Sequence, residues 1–234
     1  MSQRRPTGRG GARGTVAQRL LNKVAVVTGA SGELGRAIVQ KFVGEGAKLV
    51  VFARNRGRLD ELASLAPARI IVVSGDVTRA ADLEVLRETT LRRMGGIDIL
   101  VAAAEHFRSA SLEESAPELV DEAFAVNFQG ALQTIRALGR HFNSLGSIVL
   151  VTASLSEEPR AGCSAFAASK AALSSLASTL AVELAPRGVR VNCVAPTRRE
   201  GKAHESTAAQ AALFLASEES AGITGQQIVV SPST

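Results

Sequence analysis

The sequence predicts an α/β domain in which about seven parallel strands form one central sheet with helices on both faces. Two observations predict this doubly wound class. From residue 21 onward, short β-rich segments alternate with longer stretches of helical periodicity, which is typical of repeated βαβ units. The segments 24–28, 48–53 and 147–152 are nearly continuous runs of Val, Leu and Ile, which indicates strands buried on both faces.

The elements follow one another without an internal repeat or linker, so residues 21–234 are expected to form a single domain. The predicted strands are 24–28, 48–53, 69–74, 98–103, 147–152, 189–194 and 227–230. The predicted helices are 34–44, 58–65, 80–94, 117–142, 164–184 and 207–216. Right-handed crossovers between parallel strands place helices on both faces and a ligand crevice at the strands' carboxyl ends, which is the arrangement of a Rossmann-type fold.

The excess positive charge of the chain is confined to its N-terminus. The net charge is +5, and residues 1–20 contain five basic and no acidic residues, so the remainder carries 22 of each sign. A neutral body without Tyr or Trp gives no support for nucleic-acid binding. Because residues 1–20 are rich in Gly, Arg and small polar residues, we expect a disordered basic tail.

Hydropathy and the composition of the N-terminus indicate where in the cell the protein is expected to lie. No apolar run approaches the roughly 20 residues that cross a bilayer, so no membrane partner is expected. A plain solvated tail predicts a cytoplasmic protein, whereas an acid-free, arginine-containing N-terminus also fits targeting to the mitochondrial matrix. Cys163, Cys193 and three scattered histidines have no metal-ligand spacing, so no metal site is predicted.

A glycine-rich turn, Thr28-Gly-Ala-Ser-Gly-Glu-Leu-Gly35, joins the first strand to the first helix. Glycines permit a tight turn and a close backbone approach to a pyrophosphate, and the helix N-terminus favours an anion. The residues predicted to form this phosphate cradle are Gly29, Ser31, Gly32, Leu34 and Gly35. A tight turn without a ligand is the alternative, and Glu33 would add a carboxylate near the phosphates.

Arg54 follows the second strand, at the position that selects between dinucleotides. An acidic residue there accepts the ribose 2′-hydroxyl of NAD, whereas an arginine meets the 2′-phosphate of NADP. Arg36 and Arg56 lie nearby in sequence, and no acidic residue intervenes between Arg54 and Asp60. The predicted cofactor is therefore NADP(H), and a solvated charge at a strand end is the alternative.

Several further segments, together with the glycine-rich turn, resemble the short-chain dehydrogenase/reductase family across residues 21–230. They are Asp76-Val, Val126-Asn-Phe, Ala168-Ser-Lys-Ala-Ala, Val189-Arg-Val-Asn-Cys-Val-Ala-Pro and Ile223-Thr-Gly-Gln. The resemblance implies that Asp76 and Val77 hold the adenine ring, that Ala103 lies beside the cofactor, and that Lys170 binds ribose. It assigns Asn127 to a proton relay.

The same resemblance implies that two catalytic side chains are replaced. In the family a tyrosine four residues before the helix lysine protonates the substrate carbonyl, and a serine thirteen residues earlier polarises its oxygen. Counting from Lys170, these positions hold Phe166 and Ala153. Phe has no exchangeable proton and Ala has no hydrogen-bond donor, so neither replacement supports carbonyl reduction. Asn127 and Lys170 are the retained catalytic remnants.

We therefore expect a non-catalytic, NADP-binding scaffold or interaction subunit with no predicted substrate. Helix 164–184 is expected to pair in a homo- or hetero-oligomer, because it carries no charge between Lys170 and Glu183 and family members pair through this helix. Two alternatives stay open. One is an NADPH-dependent oxidoreductase with residual or rewired activity, and the other is a redox-neutral enzyme that uses Glu105 and His106 after the fourth strand.

Overall fold

The computed structural model describes residues 18–154, 159–197 and 202–231, and of residues 202–204 it describes only the backbone. Within these ranges one sheet contains seven strands, paired in parallel throughout in the order β3-β2-β1-β4-β5-β6-β7. The strands are β1 (Val24–Thr28), β2 (Lys48–Ala53), β3 (Ile70–Ser74), β4 (Ile97–Ala102), β5 (Phe142–Val151), β6 (Arg190–Pro196) and β7 (Gln227–Val230). The predicted parallel sheet is confirmed.

Helices cover both faces of this sheet. They are α1 (Glu33–Gly44), α2 (Arg56–Ala63), α3 (Ala80–Met94), α4 (Pro117–Phe124), α5 (Ala131–Leu138), α6 (Ser164–Leu184) and α7 (Lys202–Ala216). Alternate side chains of β1 point to opposite faces: Ala25 and Val27 belong to a core cluster with α1, α2 and α7, and Val26 belongs to one with α3, α5 and α6. The doubly wound architecture is therefore confirmed.

The predicted helix 117–142 has a different internal structure. Between α4 and α5 the chain forms a π-helical turn, Ala125–Gly130, and the last turn, Gly139–His141, is a 3₁₀ helix. Phe142 lies in β5, where it pairs with Ile97, so the helix ends one residue earlier than predicted. Short π-helical turns inside α-helices frequently mark functional sites, and this one carries Asn127.

Three helices begin earlier than predicted, and for α1 the difference is the single residue Glu33. The Asn55 side chain accepts a hydrogen bond from the amide of Arg58 at 3.0 Å, and this N-cap starts α2 at Arg56. The backbone of α7 begins at Lys202.

The folded body begins before residue 21. Residues 1–17 of the predicted tail lie outside the described residues, but Arg19 pairs with Glu45 and Glu219, each at 3.1 Å, and Leu20 is fully buried. Burial raises the pKa of Glu45, but hydrogen bonds from the guanidinium and amide of Arg19 outweigh it, so that pKa lies below its ordinary value. The N-terminal boundary is thus held to the C-terminal end of α1.

The chain order creates a crevice between β1 and β4. From β1 the chain winds outward to β2 and β3, and then returns to β4 on the other side of β1. The helices that follow β1 and β4 therefore leave the sheet on opposite faces and open a crevice at the carboxyl ends of these two strands.

Helix α6 and the turn after it, Ser164–Arg187, are long and apolar enough to cross a membrane by length and composition. In this structure the helix packs on the sheet through Leu173, Ala177 and Leu180, as a core helix does.

Candidate functional site

A cleft of about 320 Å³ occupies the crevice at the carboxyl ends of β1 to β4. Seven of the predicted cofactor-binding residues line it: Gly29, Ser31, Gly32, Arg54, Asp76, Val77 and Ala103. Its other lining residues are Phe52, Ala53, Arg58, Gly75, Ala104, Glu105 and Val126. We call the part at the ends of β1, β2 and β3 the β2 side. The α6 side comprises the end of β4, the following residues 105–107 and the N-terminal half of α6.

Two glycines of the turn after β1 stand where no side chain fits. Gly29 has φ +66°, and a Cβ there would lie 2.3 Å from the carbonyl oxygen of Ala103. A Cβ on Gly35 would lie 2.2 Å from the carbonyl oxygen of Gly29. Gly32 is the N-cap of α1, and no side chain caps this helix end. The first amides of α1 are therefore available to an anion approaching from the cleft.

Three predicted nucleotide-turn residues do not line the cleft. Gly35 is buried beneath the turn, and Leu34 packs against the core beneath α1, so both shape the turn from behind. Glu33 is exposed and lines a separate groove between α1 and α7, beside Arg36 and Lys41. Because Glu33 lines this other groove and not the cleft, the predicted repulsion between its carboxylate and a bound phosphate is weaker.

The arginines near the end of β2 divide into two groups. Arg36 pairs with Glu61 at 3.4 Å, and the guanidinium of Arg56 donates to Asp60 at 2.9 Å. Arg54 and Arg58, by contrast, line the cleft, and within the described ranges neither has a carboxylate at ion-pair distance. The cations left for an anionic ligand are thus Arg54, which was predicted, and Arg58, which was not.

Asp76 and Val77 form the end of the cleft beyond β3. The Asp76 carboxylate accepts hydrogen bonds from the amide and hydroxyl of Thr78 at 2.9 and 2.8 Å, which fix the turn. Val77 is buried and closes the cleft from below against Gly130, where an added Cβ would lie 2.6 Å from the valine side chain. Asp76 and Val77 thus give this end of the cleft one polar and one apolar side chain, a combination typical of sites that bind a planar base.

On the α6 side, Glu105 forms an ion pair with Lys170. Its carboxylate lies 3.1 Å from the Lys170 ammonium, which also donates to the carbonyl oxygen of Val151 at 2.9 Å. The lysine side chain is 2% exposed and the glutamate 37%. Lys170 does not line the cleft. It lies in a second cavity of about 230 Å³, together with Ala153 and Ser174.

Asn127 joins the residue after Glu105 to α6. Its side-chain oxygen accepts from the amide of His106 at 2.7 Å, and its nitrogen donates to the carbonyl oxygen of His106 at 3.0 Å and to the Ser169 hydroxyl at 2.9 Å. The His106 ring nitrogen Nε2 lies 3.2 Å from Glu122, in contact but outside hydrogen-bond geometry. Of the side chains invoked for redox-neutral chemistry, Glu105 is therefore engaged by Lys170, whereas His106 contacts Glu122 without a hydrogen bond from Nε2 in the described part of the chain.

The two replaced positions meet in one apolar cluster. Phe166 and Cys163 are buried, with Phe107, Ala153 and Ala167 packed around them. The rings of Phe107 and Phe166 meet edge to face, with centroids 5.1 Å apart and planes at 85°. Aromatic packing therefore surrounds Phe166, with Phe107 supplying the second ring, while Ala153 also borders the second cavity.

Neither cysteine is a candidate nucleophile. Cys163 and Cys193 are buried and free of disulfide bonds. Burial raises the pKa of the Cys193 thiol to about 12, so it stays protonated at physiological pH. Among the described residues, no group of three or more His, Cys, Asp or Glu side chains is placed to hold a metal ion.

Comparison with known proteins gives a consistent result. A family model described as short chain dehydrogenase matches residues 23–211. Human Dehydrogenase/reductase SDR family member 4 is 32% identical over 247 residues, covering 92% of this chain and 88% of that protein. Tropinone reductase-like 3 of Erythroxylum coca is 30% identical over 247 residues, covering 94% and 95%.

Solved structures show the same similarity. The 3-ketoacyl-(acyl-carrier-protein) reductase from Brucella melitensis, complexed with NADH, superposes with a TM-score of 0.85 at 28% identity, covering 90% of this chain and 97% of that one. A short-chain glucose/ribitol dehydrogenase from the same organism gives a TM-score of 0.86 at 28% identity, covering 91% and 96%.

Proposed function

The chain belongs to the short-chain dehydrogenase family, and we propose that it is a non-catalytic member that binds NADP(H). The observation that carries this proposal is the apolar cluster around Phe166 and Ala153. Catalysis of carbonyl reduction in this fold needs a proton donor and an oxyanion donor beside the nucleotide. Where the family pattern places them, the chain has an aromatic ring and a methyl group.

The β2 side of the crevice supports nucleotide binding. Gly29 and Gly35 allow the turn to close tightly, because a Cβ at either position would overlap a backbone carbonyl oxygen, and the uncapped start of α1 favours phosphate. Arg54 and Arg58 supply two cations at the end of β2, where the 2′-phosphate of NADP would lie. NADP(H), when bound, supplies a hydride, but these residues only bind and orient its adenosine and phosphates.

Among the described residues around Phe166, no side chain takes the place of the family's proton donor. The Lys170 ammonium is held by Glu105 and the Val151 carbonyl, and the Ser154 hydroxyl donates to the carbonyl of Pro196 at 3.4 Å. A positioned general acid contributes about 10²–10⁴ in rate and an oxyanion donor about 10²–10³. Loss of both leaves little carbonyl reduction, even with a nucleotide in place.

The test combines binding with turnover. NADPH and NADH are titrated against the purified protein by calorimetry, and NADPH consumption is followed over a panel of aldehydes and ketones. We expect NADPH binding, a preference over NADH, and no turnover above the rate without protein. Turnover comparable with that of an active dehydrogenase would overturn the non-catalytic assignment, and the absence of NADPH binding would overturn the nucleotide assignment.

We also propose that α6 mediates pairing with a second copy or with an active relative. Its exposed positions include Ala168, Ala171, Ser175 and Ser178, all small and uncharged, and Val182, which is 75% exposed. Small residues permit close approach of two helices. Light scattering of wild type and of Ser175→Arg tests this: we expect an oligomer that the arginine dissociates, and a monomeric wild type that captures no relative would contradict it.

A further inference from the structure

We infer that the Glu105–Lys170 ion pair divides the crevice, so that the chain binds the 2′-phosphoadenylate half of a dinucleotide and excludes the nicotinamide half. This inference rests on the proposed nucleotide binding, and it deepens that proposal by naming the part of the ligand that is held. The ligand class is an adenosine phosphate that carries an additional 2′-phosphate.

The Glu105–Lys170 ion pair separates two cavities, and we call it the wall. Glu105 is the last residue of the cleft on the α6 side, and Lys170 lines the second cavity with Ala153. Their side chains meet at 3.1 Å. In a doubly wound fold the pyrophosphate lies at the start of α1, so a dinucleotide extends on both sides of β1. Its second half would have to pass through the position of this ion pair.

The wall is fastened at three successive residues. Glu105 pairs with Lys170, both backbone groups of His106 are bound by Asn127, and the ring of Phe107 packs on Phe166. Asn127 also donates to the Ser169 hydroxyl at 2.9 Å. Residues 105–107 are therefore linked to α6 by charge, by a hydrogen-bond network and by aromatic packing, which together resist displacement.

Breaking the ion pair would strand a buried charge. The Lys170 side chain is 2% exposed, and apart from Glu105 its hydrogen-bond acceptor among the described residues is the carbonyl oxygen of Val151, with the Phe166 ring centroid 5.4 Å from the ammonium. A ligand that displaced Glu105 without supplying an anion would leave the ammonium buried with only the Val151 carbonyl and the Phe166 ring beside it, and such uncompensated charge is strongly unfavourable. Nicotinamide and its ribose carry no negative charge to replace the carboxylate.

The space that remains matches one nucleotide. About 320 Å³ lies at the lower end of the range for small-molecule sites, and its polar groups are concentrated at the end of β2. Arg54 and Arg58 have no carboxylate partner in the described part of the chain, whereas the cation on the α6 side is already neutralised. Anion binding is therefore expected on the β2 side alone.

Binding of four probes to the full-length protein tests the division: NADPH, 2′-phospho-ADP-ribose, adenosine 2′,5′-bisphosphate and nicotinamide mononucleotide. We expect dissociation constants for the first two within about threefold of each other, and no detectable binding of nicotinamide mononucleotide. Because the chain has no Trp or Tyr, nicotinamide fluorescence can be followed without interference, and bound NADPH should keep the emission of the free form.

Glu105→Gly removes the carboxylate that the nicotinamide ribose would have to displace, while residues 106 and 107 keep their contacts, so it should raise the affinity for NADPH by about tenfold without changing that for adenosine 2′,5′-bisphosphate. Glu113→Gln, at an exposed position away from the cleft, removes the same charge and should leave both affinities unchanged. Circular dichroism confirms folding, and the wild-type comparison stands without any variant.

Two results separate this inference from the proposed function. If wild-type protein binds NADPH more than about tenfold tighter than 2′-phospho-ADP-ribose, the division is wrong and NADP binding stands. If it binds none of the adenine nucleotides, the proposed function is wrong and the inference falls with it.

Discussion

The β2 side and the α6 side of the crevice differ in how their polar groups are satisfied. On the β2 side, Arg54 and Arg58 face the cleft without a carboxylate partner among the described residues, and the start of α1 lacks a side-chain cap. On the α6 side, Lys170 is held by Glu105, and Phe166 is packed against Phe107. The β2 side can therefore still bind an anion, whereas the cation of the α6 side is already paired within the protein.

The difference shows that the polar groups on the two sides of one crevice can be satisfied in different ways. A lysine as deeply buried as Lys170 needs a partner for its charge. Glu105 supplies that partner, and Phe107 fills the adjoining space. The α6 side is thus ion-paired and packed within the protein, while the β2 side lines the cleft with cations that no described carboxylate neutralises.

The largest expected effect tests whether the α6 side is now core. Phe166→Ala removes a ring that is 2% exposed, and we expect the free energy of unfolding to fall by about 3–5 kcal/mol. Affinity for adenosine 2′,5′-bisphosphate should be unchanged, because the ring does not line the cleft. Denaturant unfolding and calorimetry provide the two measurements.

Phe214→Ala is the matched control for that truncation. Phe214 is only partly buried and lies on the opposite face of the sheet. Phe214→Ala should therefore lower the free energy of unfolding by a smaller amount, about 1–2 kcal/mol. Equal losses for the two variants would show that the aromatic cluster around Phe166 has no special weight in stability.

A smaller effect is expected at the turn after β1. In Gly29→Ala the new Cβ would lie 2.3 Å from the Ala103 carbonyl oxygen at a φ of +66°, so we expect about 1–3 kcal/mol of destabilisation and loss of nucleotide binding. Gly139→Ala is the control, because Gly139 has helical angles and open space around it. That change should stabilise by about 0.4–1 kcal/mol. Retained binding by Gly29→Ala would place the phosphates elsewhere.

The strands and most helices could be predicted because they depend on local composition. Continuous Val and Ile runs marked β1, β2 and β7 with their observed bounds, and α3 and α6 likewise agree. The break between α4 and α5 could not be predicted, because the π-helical turn depends on contacts of Asn127 and Gly130 with residues distant in sequence. Helical periodicity alone continues through it.

The β2 side of the site has local sequence signals, whereas Asn127, Lys170 and Phe166 on the α6 side could be named only through the family resemblance. A glycine-rich turn and Arg54 are local signals with a fixed structural context, so they identified the cleft. The Glu105–Lys170 pair has no sequence signal. Glu105 lies in the loop between β4 and α4, Lys170 lies in α6, and the two meet only when the chain folds. The sequence also could not predict which arginines are paired and which line the cleft, because this depends on which of them the carboxylates of α2 reach.

The next prediction concerns the free cations of the β2 side. Arg54→Gln should weaken NADPH binding by about tenfold, or roughly 1–2 kcal/mol, because an exposed charge-assisted hydrogen bond to a 2′-phosphate is lost. Binding of ADP, which lacks this phosphate, should not change. Arg56→Gln is the control, because Arg56 is paired with Asp60 rather than directed into the cleft. Equal losses with both variants would indicate general electrostatic attraction.

The smallest effect concerns the far end of α1, the helix whose start forms the phosphate cradle. Arg19→Gln removes the partner that holds the pKa of Glu45 below its ordinary value of 4.5, and we expect about 1 kcal/mol of destabilisation at pH 7. Because the folded pKa is depressed, this stability is present above about pH 4.5 and is lost as the pH falls through the folded value. Urea unfolding of both proteins at pH 7 and pH 3 should therefore show a difference that shrinks in acid. A difference that is the same at both pH values would mean that Arg19 acts by packing beside Leu20 rather than through the Glu45 charge.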